Sequence, residues 1–189
     1  MVSKLSKYVM GLLHKRPMNP YEVAKLSDKE VIQRWFPMTA ASIYTTIKNL
    51  EKKGYIVGKS VQEGNFPVKT VYSLSASGEK ELSEDLANGL ASYEAEASNF
   101  GIALFHISSI EKKDALSYLG ERLVKLETLL SDTQEHLKLY ATKIPFNMKM
   151  MLIYQQNRLL MEIKTTEELI IEIEKDEKWD YSFTQYLDS

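Results

Sequence analysis

At Gly54 the period of the apolar residues changes from about 3.6 to 2, and few folds accommodate both sides of that switch. Before it, Ile43, Ile47 and Leu50 recur at helical spacing between Ala40 and Lys53. Thr39 is placed to cap the first turn, and Gly54 stands where a C′ glycine belongs. After it, Tyr55 to Val61 reads as a strand, Gln62 to Pro67 as a turn, and Val68 to Leu74 as the returning strand. Two further helices precede this unit. Leu5, Val9, Leu12 and Leu13 share one face of a helix that ends before Pro17. Asn19-Pro20 then opens another, with Val23 and Leu26 turned inward. Trp35-Phe36-Pro37 is an apolar connector broken by proline. Three helices followed by a β-hairpin is the order of a winged helix-turn-helix.

Charge divides the chain along the same line. Residues 1–75 hold 12 Lys/Arg against 5 Asp/Glu, and residues 76–189 hold 12 against 21. A basic front half suits a polyanionic partner. In a winged helix-turn-helix the third helix enters the major groove of duplex DNA. With Ile43, Ile47 and Leu50 inward, Ser42, Tyr44, Thr45, Lys48 and Asn49 lie off the stripe and can reach bases or phosphates, with Thr39 at the helix start. Lys59, Gln62, Asn65 and Lys69 on the hairpin, and Lys4 and Lys7 before the first helix, are further candidates for the DNA backbone.

The second half is helical. Leu116, Leu119, Leu123, Leu126, Leu130, Thr133, Leu137 and Tyr140 alternate steps of three and four, a sustained seam. After Pro145 a second long helix carries Leu152, Leu159, Ile163, Thr166, Ile170 and Ile173 on one side, and the two should pack antiparallel. The seam offers more apolar surface than one neighbouring helix covers, so Leu116, Leu119, Leu123, Leu126, Leu130 and Leu137 are expected to pair two copies. The expected fold class is mainly α: a winged helix-turn-helix over 1–82, a linking helical region over 83–110, and a helical dimerisation domain over 111–189.

Several chemistries are disfavoured. There is no cysteine, which excludes disulfides and thiolate catalysis and fits a reducing cytoplasm. The first seven residues lack the apolar core of a secretory signal, and no apolar stretch is long enough to span a bilayer, so a cytoplasmic chain without membrane partners is expected. His14, His106 and His136 have no metal-ligand spacing, and the eight glycines never form a phosphate cradle. No nucleophile or base is nominated. The expectation is a protein that is not an enzyme and takes no cofactor and no metal.

Residues 5–82 resemble the DNA-binding half of the PadR family of transcriptional regulators. The resemblance is carried by Val9-Met10-Gly11-Leu12-Leu13, by Tyr21-Glu22-Val23, by Ser42-Ile43-Tyr44 through Leu50-Glu51-Lys52-Lys53-Gly54-Tyr55-Ile56, and by Thr70 to Gly78. Residues 93–180 resemble the helical half of the larger, two-domain members, through their pattern and Phe105-His106-Ile107-Ser108-Ser109-Ile110. Two positions depart from the family: Pro20 stands where a small residue is frequent, and Lys69-Thr70 where two basic residues are. The resemblance implies a homodimeric repressor of a double-stranded operator. It also implies release by a small effector, often aromatic, bound between the two halves. Tyr93, Phe100, Phe105, His106, Tyr118 and Tyr154 are the candidates to line such a pocket, and each can equally be core. Two other readings stay open. One is a winged-helix protein-interaction module; the other is a DNA-binding regulator that needs no ligand.

Overall fold

The computed structural model describes residues 2–29, 32–33, 36–62, 67–92 and 98–179, which fall in two compact units, Met1–Ala95 and Glu96–Ser189. The first is a winged helix-turn-helix. Helix α1 spans Lys4–Lys15, and its cap Ser3 accepts a hydrogen bond from the Ser6 amide at 3.1 Å. Helix α2, Pro20–Ser27, begins with a reciprocal capping box. The Glu22 amide donates to Asn19 Oδ1, and the Asn19 amide donates to the Glu22 carboxylate, both at 2.9 Å. Between α2 and the next helix, Gln33 acts as a clasp. Its side chain donates to the carbonyls of Ser27 and Met38 and accepts from the Met38 amide.

Helix α3 spans Ala40–Lys52, with Thr39 capping it. Gly54 follows at φ +74°, a left-handed conformation that a side chain resists, and it turns the chain directly into strand β1, Ile56–Val61. Strand β2, Lys69–Leu74, pairs antiparallel with β1, Ile56 facing Leu74 and Val61 facing Lys69. Met18 adds a third rung by exchanging backbone hydrogen bonds with Tyr72. The core runs through every element: Val9, Met10 and Leu13 of α1, Val23 of α2, Ile43, Ile47 and Leu50 of α3, and Ile56 of β1. The apolar stripe expected of α3 is therefore its buried face.

Helix α4, Ala76–Ala91, is stitched to the rest in three places. Its Asp85, almost wholly buried, accepts from the Val2 amide and pairs with Lys7 at 3.5 Å. Glu79 meets His14 of α1 at 2.7 Å. At its start, Ser75 Oγ and Ser77 Oγ both donate to the Gly54 carbonyl, at 2.6 and 2.9 Å.

In the second unit, α5 spans Asn99–Phe105 and a single 3-10 turn follows at Ile107–Ser109. Helices α6, Lys112–Tyr140, and α7, Phe146–Lys175, then form an antiparallel hairpin. Arg122 of α6 binds Glu162 and Thr166 of α7, and Lys112 donates to the carbonyls of Glu174 and Asp176 just where α7 ends. Leu119 and Leu126 are buried with Leu152, Leu159 and Ile173, while Leu116, Leu123, Leu130 and Leu137 are half-buried. The leucine seam thus closes first on the neighbouring helix of its own chain. Most apolar residues left exposed on the hairpin lie off the seam, among them Val124, Leu129, Phe146, Met150 and Leu160. No helix among the described residues is long and apolar enough to cross a membrane.

Candidate nucleic-acid interface

Burying Ile43, Ile47 and Leu50 rotates the polar residues of α3 outward as a group. Tyr44 is 42% exposed, and Lys48 and Asn49 are exposed with no side-chain hydrogen bond among the described residues. These three present free donors. The other polar residues of the helix are engaged in holding it. Thr39 Oγ1 accepts from the Ser42 amide at 3.1 Å, and Ser42 Oγ donates to the Thr39 carbonyl at 2.7 Å. Thr45 Oγ1 donates to the Ala41 carbonyl one turn back. Thr39 and Ser42 therefore set the start of the helix, a role their capping chemistry makes legible in sequence.

The wing brings Lys59 and Lys69 to the same unit. Lys59 is exposed on β1; Lys69 opens β2, half-buried, and lines a cleft with Tyr44 and Tyr21. Asn65 lies outside the described residues. Lys4 stands exposed in the first turn of α1. Lys7 is placed differently from a groove-facing lysine: it is 28% exposed and turned to the buried Asp85, which neutralises it. Tyr21, 65% exposed, joins this surface although it lies outside the recognition-helix pattern. Its sequence signals are its position off the Val23/Leu26 stripe and its place in the Tyr21-Glu22-Val23 motif.

Electrostatics around α2 are tightly balanced. The Asn19 amide, assisted by the Arg16 guanidinium and by Lys69, holds the Glu22 carboxyl below the usual value, so the capping box carries a full negative charge. Arg16 is 3.3 Å from that carboxylate. Burial, followed by the charge of Glu51, pushes the Tyr72 phenol up, and its hydroxyl donates to Glu51 at 3.2 Å across α3 and the wing. Among the described residues no three His, Asp or Glu side chains cluster as metal ligands would.

The described aromatic candidates of the second unit have the following surroundings. Tyr93 lies outside the described residues. The Arg122 guanidinium stacks on Phe100, 3.7 Å from the ring centre. Phe105 meets His106 edge to face at 4.9 Å, and this is the sole ring contact among the described members of the set. Tyr118 and Tyr154 are exposed, the latter beneath Arg158. A cavity of about 550 Å³ does exist in this unit, but Leu104, Ile107, Leu169 and Ile173 wall it, with Glu172, Lys175 and Asp176 at its edge.

Comparison with known proteins extends the picture. The description of the transcriptional regulator PadR-like family matches residues 9–84. The negative transcriptional regulator PadR of Bacillus subtilis (strain 168) is 27% identical over 146 residues, which are 76% of this chain and 80% of that protein. The crystal structure of Bacillus subtilis PadR in complex with operator DNA is similar at a TM-score of 0.70 and 25% identity, covering 90% of this chain and 99% of that one. The same protein in complex with p-coumaric acid gives 0.71 and 25% over the same shares. The Vibrio cholerae virulence activator AphA, at 17% identity, shares the fold at a TM-score of 0.71 over 90% of this chain and 98% of its own. Residues 9–84 match the PadR-like family of transcriptional regulators, and over 90% of its length the chain is similar in fold to Bacillus subtilis PadR.

Proposed function

We propose that the chain is a cytoplasmic, homodimeric repressor that binds a double-stranded operator through α3 and the wing and is released by a small aromatic acid. The observation that carries the reading is the free polar face of α3, with Tyr44, Lys48 and Asn49 outward, on a fold similar over 90% of the chain to one holding operator DNA. Tyr44 and Asn49 read base edges; Lys48, Lys59 and Lys69 meet phosphates, with Lys4 and Asn65 at the margins. Thr39, Ser42 and Thr45 hold the helix at its working angle, and Lys7 contributes through Asp85.

Dimerisation uses the outer face of α7. Phe146, Met150, Ile153, Asn157 and Leu160 follow one another at steps of four and three, and Phe146, Met150 and Leu160 are exposed in the single chain. The half-buried seam leucines Leu116, Leu123, Leu130 and Leu137 border it. The effector stacks on rings of the second unit, from the set Phe100, Phe105, His106, Tyr118 and Tyr154. The p-coumaric acid complex of Bacillus subtilis PadR supports a phenolic acid as the first compound to try.

Selection of duplexes from a random pool, followed by anisotropy titration, tests the reading. Binding at about 10 nM or tighter, a two-to-two stoichiometry of strands to subunits, and release by p-coumaric acid are expected. A chain that shows no preference for any duplex overturns it in favour of a protein-interaction module. Tight binding unaffected by p-coumaric acid and a panel of related phenolics removes the effector and leaves a ligand-independent regulator.

A further inference from the structure

We infer that the exposed face of α2, through Tyr21 and Lys25, grips the sugar–phosphate backbone of the duplex and fixes how α3 sits in the groove; this rests on the DNA-binding reading above. Two open clefts flank Tyr44. One, of about 440 Å³, lies toward the wing and is bordered by Asn19, Lys69 and Thr70. The other, of about 590 Å³, lies toward the start of α3 and is bordered by Lys25 and Thr39. Tyr21 and Tyr44 are common to both, so together they form the ridge between them. A duplex that brings base edges to Tyr44 must therefore pass Tyr21.

Tyr21 has no apolar cover to explain its ring. It is 65% exposed, and neither its hydroxyl nor the Lys25 ammonium has a hydrogen-bond or ion-pair partner among the described residues. Of the cap amides, those of Asn19 and Glu22 are taken by the capping box and Pro20 has none, which leaves the amide of Tyr21 itself for a phosphate approaching α2. What α2 offers is the amide and hydroxyl of Tyr21 and, one turn on, the Lys25 ammonium. The nearby negative charge of Glu22 is offset by Arg16 and Lys69. Asp28 also borders the second cleft, and Lys25 is the cation there that can meet a phosphate. The geometry fits the general rule that the first helix of a helix-turn-helix crosses the backbone while the second enters the groove. Contacts of this kind set register and orientation and carry no sequence information.

The test compares the full chain with Tyr21→Phe and Lys25→Ala on two probes, a random 30-base-pair duplex pool and the duplex selected by the wild type. Tyr21→Phe removes one hydroxyl and is expected to weaken both probes by a similar factor, about three- to tenfold, with the salt slope unchanged. Lys25→Ala is expected to weaken both and to flatten the salt slope by about one unit. Methylphosphonate substitution at the contacted phosphate is expected to abolish the Tyr21→Phe difference. Unchanged affinity in both variants, or a Tyr21→Phe loss confined to the selected duplex, overturns the backbone assignment while leaving DNA binding intact. A wild type that binds neither probe overturns the underlying reading as well. Unchanged thermal midpoints for both variants establish that the losses are not unfolding.

Discussion

Gly78 lies against the backbone of Tyr55: a β-carbon on Gly78 would stand 2.0 Å from the Tyr55 carbonyl oxygen and 2.9 Å from its carbonyl carbon. The first turn of α4 and the end of α3 meet at this point without room for a methyl group. Gly78→Ala is expected to destabilise the first unit by about 3 kcal/mol, because backbone rather than a pliable side chain must move. Gly89→Ala, on the same helix with nothing within 4 Å, is expected to be neutral or to stabilise by up to about 1 kcal/mol. Urea denaturation of the pair checks both, and equal midpoints would contradict the contact.

Lys48 is exposed on α3 with no side-chain partner among the described residues. Lys48→Ala should leave the thermal midpoint within experimental scatter. It should lower affinity for selected and random duplexes alike and reduce the salt slope by about one unit. Titration at three salt concentrations measures this directly.

The hairpin separates two kinds of leucine. Leu126 is buried between α6 and α7, and Leu126→Ala is expected to cost about 2–5 kcal/mol of stability. Leu160 is exposed on the outer face of α7. Leu160→Glu should keep the helical circular dichroism while shifting sedimentation from dimer to monomer, since a desolvated carboxylate opposes association at that face. A Leu160→Glu protein that sediments as the wild type would move the dimer interface elsewhere.

Acid should loosen the start of α2. The Glu22 carboxyl is held below its ordinary value of 4.5, chiefly by the Asn19 amide and then by Arg16 and Lys69. A carboxyl with a depressed folded-state value stabilises above the unfolded value and loses that contribution as pH falls through the folded one. The stability difference between wild type and Glu22→Gln should therefore be widest near neutrality and close below about pH 4.5. Thermal midpoints taken across that range decide it.

Much of the first unit is legible in the sequence because burial imposes periods on it. Ile43, Ile47 and Leu50 declare the inner face of α3, and the change of period at Gly54 declares the wing. Tyr21 is not legible in this way. An exposed residue obeys no period, and its place beside Tyr44 follows from how α2 packs on α3. The pairing of Lys7 with Asp85 is not legible either, since the two residues lie far apart along the chain. The heptad seam announces that two helix faces meet, yet it does not say whether the partner is the next helix or another chain. Leu119 and Leu126 are buried against the next helix, while Leu116, Leu123, Leu130 and Leu137 are only half-buried in the single chain. The contacts of Arg122 with Phe100 and of Phe105 with His106 are likewise beyond sequence, since aromatic content records composition and not assembly.

The hydroxyls of Ser75 and Ser77 on the Gly54 carbonyl, with Asp85 holding Lys7 and Glu79 holding His14, bolt α4 to the far end of α3 and along α1. These contacts tie α3 and α1 to the same helix. In the proposed dimer, torque applied beyond Ala91 would turn each winged body as one piece, like a key on its shank, so the angle between the two bodies, and hence the spacing of half-sites they straddle, would be the quantity through which anything downstream of α4 speaks to DNA.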